Sequence, residues 1–342
     1  MSNIKDVARR AGVSPSTVSI IVNGKSEERR ISGDTQVKVM EAMRFLDYHP
    51  NISARKLKEG ENKSVVVALF WSFDFRRAML ARFLVGLQGK IQKSDLDIEI
   101  VIYPYISGEL RKETSLVVGN KFHAAIIANA NDKDLKYLNN LDSLVPIVLY
   151  NRNLMKYSSA NIDDRKIGIM AAEHFVQNGY RRARIVTSSD SFKGMSIREK
   201  AFEVRMEKLG ASVHKEKLVA KENSVLQGKN CGDILLEGFE KDKDIDCLFC
   251  ASDALAIGIT HAFMKKGIHI PEEIGILAIG NGSPYYSEFN NPPISVINVP
   301  MELMAEKCFD LLVKKKFQAE TKPEHVYFET KLLHRESTKG YC

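Results

Sequence analysis

The sequence predicts two kinds of structure in series: a small all-α head over residues 1–50, then an α/β body of two doubly wound lobes. Three observations predict this. Short amphipathic helices joined by a glycine turn fill the head. Continuous apolar runs then alternate with amphipathic helices of ten or more residues. A second series of such runs repeats the alternation further along the chain, which is typical of two α/β lobes.

The head is predicted to hold three short helices, each with one buried face. The apolar positions of the first helix have the i, i+3, i+4, i+7 spacing of a single stripe: Ile4, Val7, Ala8 and Ala11. Gly12 ends this helix, Ser14 offers an N-cap oxygen, and Pro15 takes the first position of a helix that runs to Asn23. The inward side chains of the second and third helices are Val18, Ile21 and Val22, then Val39, Ala42, Met43 and Leu46. Two short helices joined by a glycine turn form the helix-turn-helix pattern.

This pattern indicates a DNA-binding head. The second helix fits the major groove, where small polar residues at its start can approach base edges and phosphates. Residues 1–60 carry eleven Lys and Arg against seven Asp and Glu, so 11 − 7 = +4 of the chain's net +7 lies there. A basic head suits a polyanionic partner. Because any small three-helix bundle has similar spacing, the residues themselves must decide.

Those residues resemble the head of the LacI/GalR family of bacterial repressors. The resemblance lies in Ile4-Lys5-Asp6-Val7-Ala8, then Ala11-Gly12-Val13-Ser14-Pro15-Ser16-Thr17-Val18-Ser19 and Asn23-Gly24. It continues through Tyr48-His49-Pro50-Asn51-Ile52-Ser53-Ala54-Arg55-Lys56-Leu57 and extends more loosely over the whole chain. It implies a sequence-specific repressor that binds pseudopalindromic double-stranded operator DNA as a homodimer, under the control of a small effector.

The resemblance also implies which head residues contact DNA: Lys5, Ser14, Pro15, Ser16, Thr17, Ser19, Ile20 and Asn23. The family often has Arg or His at the position of Ile20. Isoleucine cannot donate a hydrogen bond to guanine, but it can meet the methyl group of thymine. Pro15 and Ser16 are short, so we expect direct base readout by this helix to be thin and the minor groove to carry more of the specificity.

Residues 51–62 are predicted to form a hinge helix and linker. In the family this helix folds on operator DNA, and its leucine wedges into a central base step. The matching residue is Leu57, with Asn51, Ala54 and Arg55 beside it. A short helix with little to bury is marginal alone, and an apolar side chain inserted from the minor groove kinks the duplex. Two hinge helices must pack together there, so the mechanism includes dimerisation. Alternatively, Leu57 is a linker residue that touches the body.

The apolar runs of the body predict parallel strands that are buried on both faces. They are Val65–Phe70, Ile98–Ile102, Ala124–Ile127, Val145–Leu149, Arg184–Val186, Cys247–Cys250 and Ile274–Ile279. Helices at about 168–178 and 196–209 are among those that separate them. The predicted lobes are residues 63–162 with 296–325 and residues 163–295 with 326–342. Such a pair of lobes is periplasmic-binding-protein-like.

Ligands of such sheets bind outside the carboxyl ends of the strands, and two lobes bring those ends together across a cleft. The residues that follow the runs are therefore candidate effector contacts: Trp71, Phe73, Phe75, Asn129, Asn151, Arg152, Ser189, Asp190, Ser252, Asp253, Gly280 and Asn281. Aromatic rings and planar polar groups suit a sugar, since rings stack on its apolar face and polar forks bind its hydroxyl pairs.

The resemblance adds Arg198, which matches a conspicuous effector-binding arginine of the family. It also raises a question about the ligand, because Asn151 and Gly280 stand where sugar-binding members commonly have aspartate. The effector is expected to be a sugar or sugar derivative, with larger glycosides, phosphorylated sugars and non-sugar metabolites left open. One branch of the family uses a phosphoprotein co-effector, which is a further alternative.

Other function classes have little support in the sequence. An α/β enzyme is the main alternative, but no strand is followed by Gly-x-Gly-x-x-Gly, and Gly-x-Ser-x-Gly, His-x-x-x-His and the P-loop motif do not occur. No cofactor or metal is predicted, and Cys247-x-x-Cys250 lies in an apolar run that favours core packing. The N-terminus lacks a signal-peptide pattern and no apolar run approaches the ~20 residues of a membrane span. We therefore expect a cytoplasmic protein and not a secreted binding protein.

Overall fold

The computed structural model of the chain describes residues 4–22, 26, 29–46, 64–72, 77–116, 121–143, 145–189, 193–239, 245–317 and 322–340. The chain divides into two compact units, Met1–Val65 and Val66–Cys342, here called the head and the body. Several positions named above lie outside the described residues: Asn23, Asn51, Ala54, Arg55, Leu57, Phe73, Phe75 and Asp190.

The described residues of the head form three α-helices: α1, Ile4–Ala11; α2, Pro15–Val22; and α3, Gly33–Phe45. Their apolar faces meet in one small core of Val7, Ala8, Val18, Ile21, Val39 and Ala42, with Ile4, Ala11, Met43 and Leu46 packed against it. The predicted inward faces are therefore confirmed at these positions. Burial of these side chains, more than helix propensity, stabilises helices as short as α1 and α2.

The turn between α1 and α2 has the features that the sequence predicts. Gly12 adopts a φ of +67°, a left-handed conformation that glycine takes without steric penalty. Ser14 caps α2, because its Oγ accepts a hydrogen bond from the backbone N–H of Thr17 at 3.0 Å. Pro15 then occupies the first helical position, where its missing N–H has no partner to lose. The turn holds α2 at a fixed angle to α1.

The first lobe of the body contains a six-stranded sheet. Its strands are β1, Val65–Ser72; β2, Ile98–Tyr105; β3, Ala124–Ala128; β4, Ile147–Tyr150; β5, Ser158–Ile162; and β12, His325–Phe328. The order across the sheet is β12-β5-β4-β3-β1-β2, and the pairs from β12 to β1 are parallel. Its helices are α4, Arg77–Ile91; α5, Asp132–Asn140; and α11, Met301–Phe317.

The second lobe contains a seven-stranded sheet. Its strands are β6, Arg182–Ser188; β7, Ser212–Val213; β8, Leu218–Ala220; β9, Cys247–Cys250; β10, Gly275–Gly280; β11, Ser295–Asn298; and β13, Lys331–Leu333. The order is β13-β11-β10-β9-β6-β7, with β8 also paired to β6, and only β13 runs antiparallel to its neighbour. Its helices are α6, Asp164–Gln177; α7, Lys193–Lys208; α8, Val225–Phe239; α9, Asp253–Lys265; and α10, Pro284–Glu288.

The chain passes between the lobes after β5, after β11 and after β12. Two of these passages come a few residues later than the predicted lobe boundaries at 296 and 326. Strand β11 stays in the second sheet because Ile297 pairs with Ile279 of β10. Strand β12 joins the first sheet, where Tyr327 pairs with Asn161 of β5. Strand β11 reads Ser-Val-Ile-Asn and β12 reads His-Val-Tyr-Phe, so neither gave an apolar run that fixed the boundary from sequence.

The four cysteines among the described residues lie in the core of the body. Cys231, Cys247, Cys250 and Cys308 are free and buried, and burial raises the pKa of each thiol. The predicted core packing of Cys247 and Cys250 is confirmed. Among the described residues no group of three or more His, Cys, Asp or Glu side chains could hold a metal ion. Within the same ranges, no helix is long and apolar enough to cross a membrane.

Candidate functional site

A cleft of about 840 Å³ opens at the carboxyl ends of β3, β4 and β5, beside the first turns of α6 and α7. Five of its lining residues are asparagines: Asn129, Asn131, Asn151, Asn153 and Asn161. Each amide can both donate and accept hydrogen bonds without carrying charge. A cavity of this size with convergent neutral polar groups suits a small ligand that is rich in hydroxyl groups.

Among the described residues, the charged side chains around the cleft nearly balance. The cations are Lys133, Arg152, Arg165 and Lys193, and the anions are Asp132, Asp163 and Asp164. Some of them are already engaged, since Asp163 caps α6 by accepting from the N–H groups of Arg165 and Lys166 at 2.9 and 3.1 Å. Arg152 donates to the carbonyls of Ala130 and Asn151. The described lining of the cleft is therefore polar with little net charge.

Asn129 and Asn151 directly follow β3 and β4, as predicted, and both line the cleft. Their φ angles of +62° and +50° lie in the left-handed region, which asparagine tolerates better than most residues. Such conformations are found disproportionately at binding sites, where surrounding structure holds them. Ligand contact by either residue stays a prediction, and the backbone geometry supports it.

Three of the five asparagines were not singled out from the sequence. Asn131 caps α5, because its Oδ1 accepts from the N–H groups of Lys133 and Asp134 at 2.9 and 3.1 Å. An asparagine ahead of a helix that starts Asp-Lys-Asp was a signal for this position. Asn161 lies in β5 and Asn153 follows β4. Strand β5 is too polar to be found as an apolar run, so Asn161 gave no signal.

Arg198 lies outside the lining of the cleft. Its side chain is 2% exposed and forms a charge-assisted pair with Asp164, with Nη2 at 2.7 Å and Nε at 2.8 Å from the same carboxylate oxygen. Asp164 does line the cleft. In this structure Arg198 therefore reaches the cleft through the carboxylate that it holds, whereas the resemblance implies direct contact with a ligand.

Six other candidate effector contacts that the structure describes also lie outside this lining: Trp71, Ser189, Ser252, Asp253, Gly280 and Asn281. The Trp71 ring packs against Phe83 and Tyr150, with centroids 5.4 and 6.1 Å apart. Ser252 caps α9, and its hydroxyl donates to Asn223. The side chain of Asn281 donates to the carbonyl of Ala251 at 3.4 Å.

Asp253, another of these residues, accepts hydrogen bonds from the backbone N–H groups of Gly282 and Ala254, each at 2.9 Å. The structure thus gives protein partners to Ser252, Asp253 and Asn281 at the ends of β9 and β10. Their contact with a ligand stays a prediction.

Arg82 is the main site-adjacent residue that sequence reasoning missed. It lies in α4 of the first lobe, is 7% exposed, and forms a two-pronged ion pair with Glu302 of α11 at 2.6 and 2.7 Å. Its guanidinium also donates to the carbonyls of Gly280, Gly282 and Val299 at 3.2, 3.4 and 3.0 Å. It therefore joins the first lobe to the loop after β10. The signal was a lone arginine within the apolar stretch from Ala78 to Val85.

Asp253 should make stability depend on pH. Burial raises the pKa of this carboxyl from 3.8 to about 6, against hydrogen bonds from Gly282 and Ala254 and the charge of Arg82, which lower it. The folded state then binds more protons than the unfolded state between these two pKa values. We expect the free energy of unfolding to fall by up to about 3 kcal/mol, relative to Asp253→Asn, as pH rises from 4 to 7.

Urea unfolding of both proteins at several pH values in that range measures the difference. The asparagine cannot titrate, and its one amide oxygen can replace Oδ1, which accepts from Ala254 and Gly282 at 2.9 and 3.2 Å, so it is the non-titrating control. Parallel stability curves for the two proteins would contradict the expected penalty.

The start of α2 forms the predicted DNA-contacting face of the head. Ser14, Pro15 and Ser16 are exposed, as is Lys5 in α1. Thr17, Ser19 and Ile20 are half-buried. The hydroxyls of Ser14 and Thr17 lie 2.9 Å apart, so both groups already stabilise the first turn of the helix. Small polar groups thus surround the exposed start of α2, where a recognition helix presents its side chains.

A helix-turn-helix head followed by a two-lobed α/β body with a polar cleft defines a DNA-binding regulator that carries a periplasmic-binding-protein-like domain. Residues 3–51 match the family described as bacterial regulatory proteins, lacI family. Residues 172–338 match the periplasmic binding protein-like domain. The chain belongs to the LacI family of bacterial transcriptional regulators.

Similar proteins match this chain over most or nearly all of its length. The structure of a LacI family transcription regulator from Clostridium acetobutylicum is 34% identical with a TM-score of 0.75, covering 80% of this chain and all of that one. The probable HTH-type transcriptional repressor ExuR of Bacillus subtilis is 25% identical over 347 residues and 99% of each chain. A complex of the transcriptional regulator CelR with cellobiose is 22% identical with a TM-score of 0.68, covering 98% of this chain and all of that one. These relatives are regulators and not enzymes.

Proposed function

We propose that this protein is a transcriptional repressor whose affinity for operator DNA is controlled by a sugar or sugar derivative in the interlobe cleft. The observation that carries the proposal is the cleft itself, where five asparagine amides converge at the ends of three parallel strands. Neutral amides exchange hydrogen bonds with hydroxyl groups in place of water. The cellobiose complex of the similar regulator CelR supports a carbohydrate as the ligand class.

The two carboxylates that the sequence lacks at positions 151 and 280 have counterparts elsewhere in the cleft. Asp163 and Asp164 line it from the start of α6, and Asp164 is held by Arg198. Hydroxyl pairs of a sugar can therefore meet carboxylate oxygens from the second lobe and amides from the first. A ligand that contacts both lobes changes the stability of the closed arrangement of the lobes relative to the open one. This change is the basis of the proposed control.

Operator binding is proposed to require a homodimer. Reading two half-sites of a pseudopalindrome needs two heads related by a two-fold axis. The body offers an exposed aromatic group around α10, where Tyr285, Tyr286 and Phe289 are 66, 70 and 78% exposed. Solvent-exposed aromatic groups of this kind favour a protein interface. A second copy of the chain covers them in the proposed dimer.

In-vitro selection of DNA bound by the full chain, with and without a panel of neutral and anionic saccharides, tests the proposal. We expect one pseudopalindromic sequence to be enriched and at least one saccharide to change its affinity. A coupling of ~1–3 kcal/mol is typical, and operator must change saccharide affinity by the same factor. Weaker operator binding identifies an inducer and tighter binding a corepressor. No enriched sequence, or an affinity that no saccharide changes, would count against the proposal.

The hinge segment provides a separate prediction. If Leu57 wedges into a base step, Leu57→Ala should weaken operator binding and reduce DNA bending, because partial unstacking of the step depends on an inserted apolar side chain. Saccharide affinity in the absence of DNA should stay unchanged. Gel mobility of circularly permuted operator fragments measures the bend, and titration of the saccharide measures the control quantity. Normal affinity and normal bending would remove the wedge from the mechanism.

A further inference from the structure

A second groove, of about 590 Å³, runs along the outer face of the second lobe between α6 and α7. Its apolar floor consists of Ile169, Ile197, Ala201 and Val204. Its remaining large side chains are all cationic: Arg165, Lys193, Lys200, Arg205 and Lys208. No carboxylate belongs to the lining, as far as the described residues extend. The groove therefore combines an apolar base with walls of one charge sign.

The packing of the two helices explains both the groove and its charge. A Cβ on Gly168 would lie 2.0 Å from the carbonyl oxygen of Arg198, so α6 and α7 touch backbone to backbone there and the groove has a rigid base. Two carboxylates of α7 pair with a lysine that does not line the groove: Lys217 lies 2.8 Å from Glu199 and 3.0 Å from Glu203.

The cations of the groove are only partly neutralised. Arg205 pairs with Glu173 at 2.6 Å, and Lys200 reaches Glu203 at 3.6 Å. Lys193 lies 3.9 Å from Asp132, with both side chains more than 70% exposed. Arg165 and Lys208 make no ion pair with any residue that the structure describes. An anionic ligand would thus meet positive charge that the protein does not balance.

The groove adjoins the cleft. Arg165, Lys193 and Ile197 line both cavities, so the two share a border. The distance along α7 from Lys193 to Lys208 is about 22 Å at 1.5 Å per residue, which is long compared with one sugar ring. A ligand whose first part occupies the cleft can therefore extend over the groove.

We propose that the ligand of this protein is an anionic oligosaccharide whose hydroxyl-rich end occupies the cleft and whose acidic units lie in the α6/α7 groove. This inference rests on the proposed function and names its ligand class. The apolar floor suits the apolar faces of sugar rings, and cations on both walls suit acidic groups that repeat along a chain. The shared lining favours a continuous saccharide over a separate protein partner.

Calorimetric titration of the full chain with tetragalacturonate and with maltotetraose, a neutral α-1,4-linked tetrasaccharide of glucose, tests the proposal. We expect tetragalacturonate to bind tighter than digalacturonate, and its affinity to fall with added salt. Lys200→Gln with Lys208→Gln should weaken tetragalacturonate binding about tenfold and leave maltotetraose unchanged. The matched control is Lys215→Gln with Lys331→Gln, which removes two exposed charges outside the groove.

Equal affinities for the acidic and the neutral tetrasaccharide would overturn the proposal. Equal losses of tetragalacturonate affinity in the two double variants would also overturn it. If a glutamate-rich amphipathic peptide binds the chain more tightly than tetragalacturonate does, the groove is a protein-binding site. That result would also overturn the proposal. The proposed function fails in a different way, through an operator affinity that no saccharide changes. Release of operator by maltotetraose but not by tetragalacturonate would remove this inference and leave the proposed function standing.

Discussion

Replacement of Arg82 by methionine is expected to lower the free energy of unfolding of the body by about 3–5 kcal/mol. The guanidinium is 7% exposed and holds Glu302 through two hydrogen bonds of 2.6 and 2.7 Å. Methionine fills much of the same volume but leaves a half-buried carboxylate and the carbonyls of Gly280 and Val299 without a donor.

The loss of stability should come mainly from the unpaired charge that the substitution leaves on Glu302. Burial alone would raise the pKa of Glu302, but hydrogen bonds from Arg82 and from its own backbone hold that pKa below its usual value. Removing both charges in Arg82→Met with Glu302→Leu should therefore recover a large part of the stability, because no isolated charge remains in a poorly solvated place. Urea unfolding followed by tryptophan fluorescence measures the effect near the site, since Trp71 packs against Phe83, the neighbour of Arg82 in sequence.

A matched control lies between the same two helices. Lys90 of α4 pairs with Asp310 of α11 at 3.1 Å, and these side chains are 34 and 39% exposed. Exposed pairs of this kind contribute at most about 1 kcal/mol, so Lys90→Met should change stability little. Equal effects of Arg82→Met and Lys90→Met would mean that burial of the Arg82 pair has no energetic consequence, contrary to the expectation.

The fold could be predicted where burial imposes a pattern on the residues. The stripe from Ile4 to Ala11 predicted α1, and the runs at Val65 and Cys247 predicted strands with every residue or nearly every residue buried. Strand β5 is also fully buried, yet it reads Ser-Ser-Ala-Asn-Ile. Its serines form hydrogen bonds with residues at and next to the neighbouring strand β12. Ser158 accepts from the N–H of Glu324 at 3.0 Å, and Ser159 forms a hydrogen bond with His325 at 2.8 Å. Hydropathy cannot reveal burial that depends on partners far along the chain.

The candidate site could be predicted only as far as position along a strand determines it. Asn129 and Ser252 both follow buried strands, and sequence reasoning treated them alike. The structure places Asn129 in the lining of the cleft, whereas Ser252 caps a helix and bonds Asn223. A polar group at a strand end satisfies its hydrogen bonds with ligand or with protein, and which of these occurs depends on loops whose paths the sequence does not specify.

Arg198→Ala is expected to abolish the response of operator binding to saccharide while leaving operator affinity without saccharide unchanged. The guanidinium lies in the body at 2% exposure, and its charged partner is Asp164, which lines the cleft. Without Arg198 the Asp164 carboxylate loses the fork that orients it. The body should also lose about 3–5 kcal/mol of unfolding free energy, because one charge of a buried pair is left alone.

Asp164→Asn separates the two roles that Arg198 could have. If Arg198 acts by positioning Asp164, each single variant should weaken saccharide binding. The double variant should then bind saccharide no more weakly than Arg198→Ala does, which is a strong coupling in a double-mutant cycle. If Arg198 contacts the ligand directly, the effects should add. Lys217→Gln is the control beside α7, since Lys217 pairs with Glu199 and Glu203 of that helix and lines neither cavity. Fluorescence anisotropy of labelled operator measures the operator affinity of each variant. The titrations are made with and without the saccharide that changes operator affinity in the selection panel. A normal saccharide response in Arg198→Ala would place the controlling contacts elsewhere in the body.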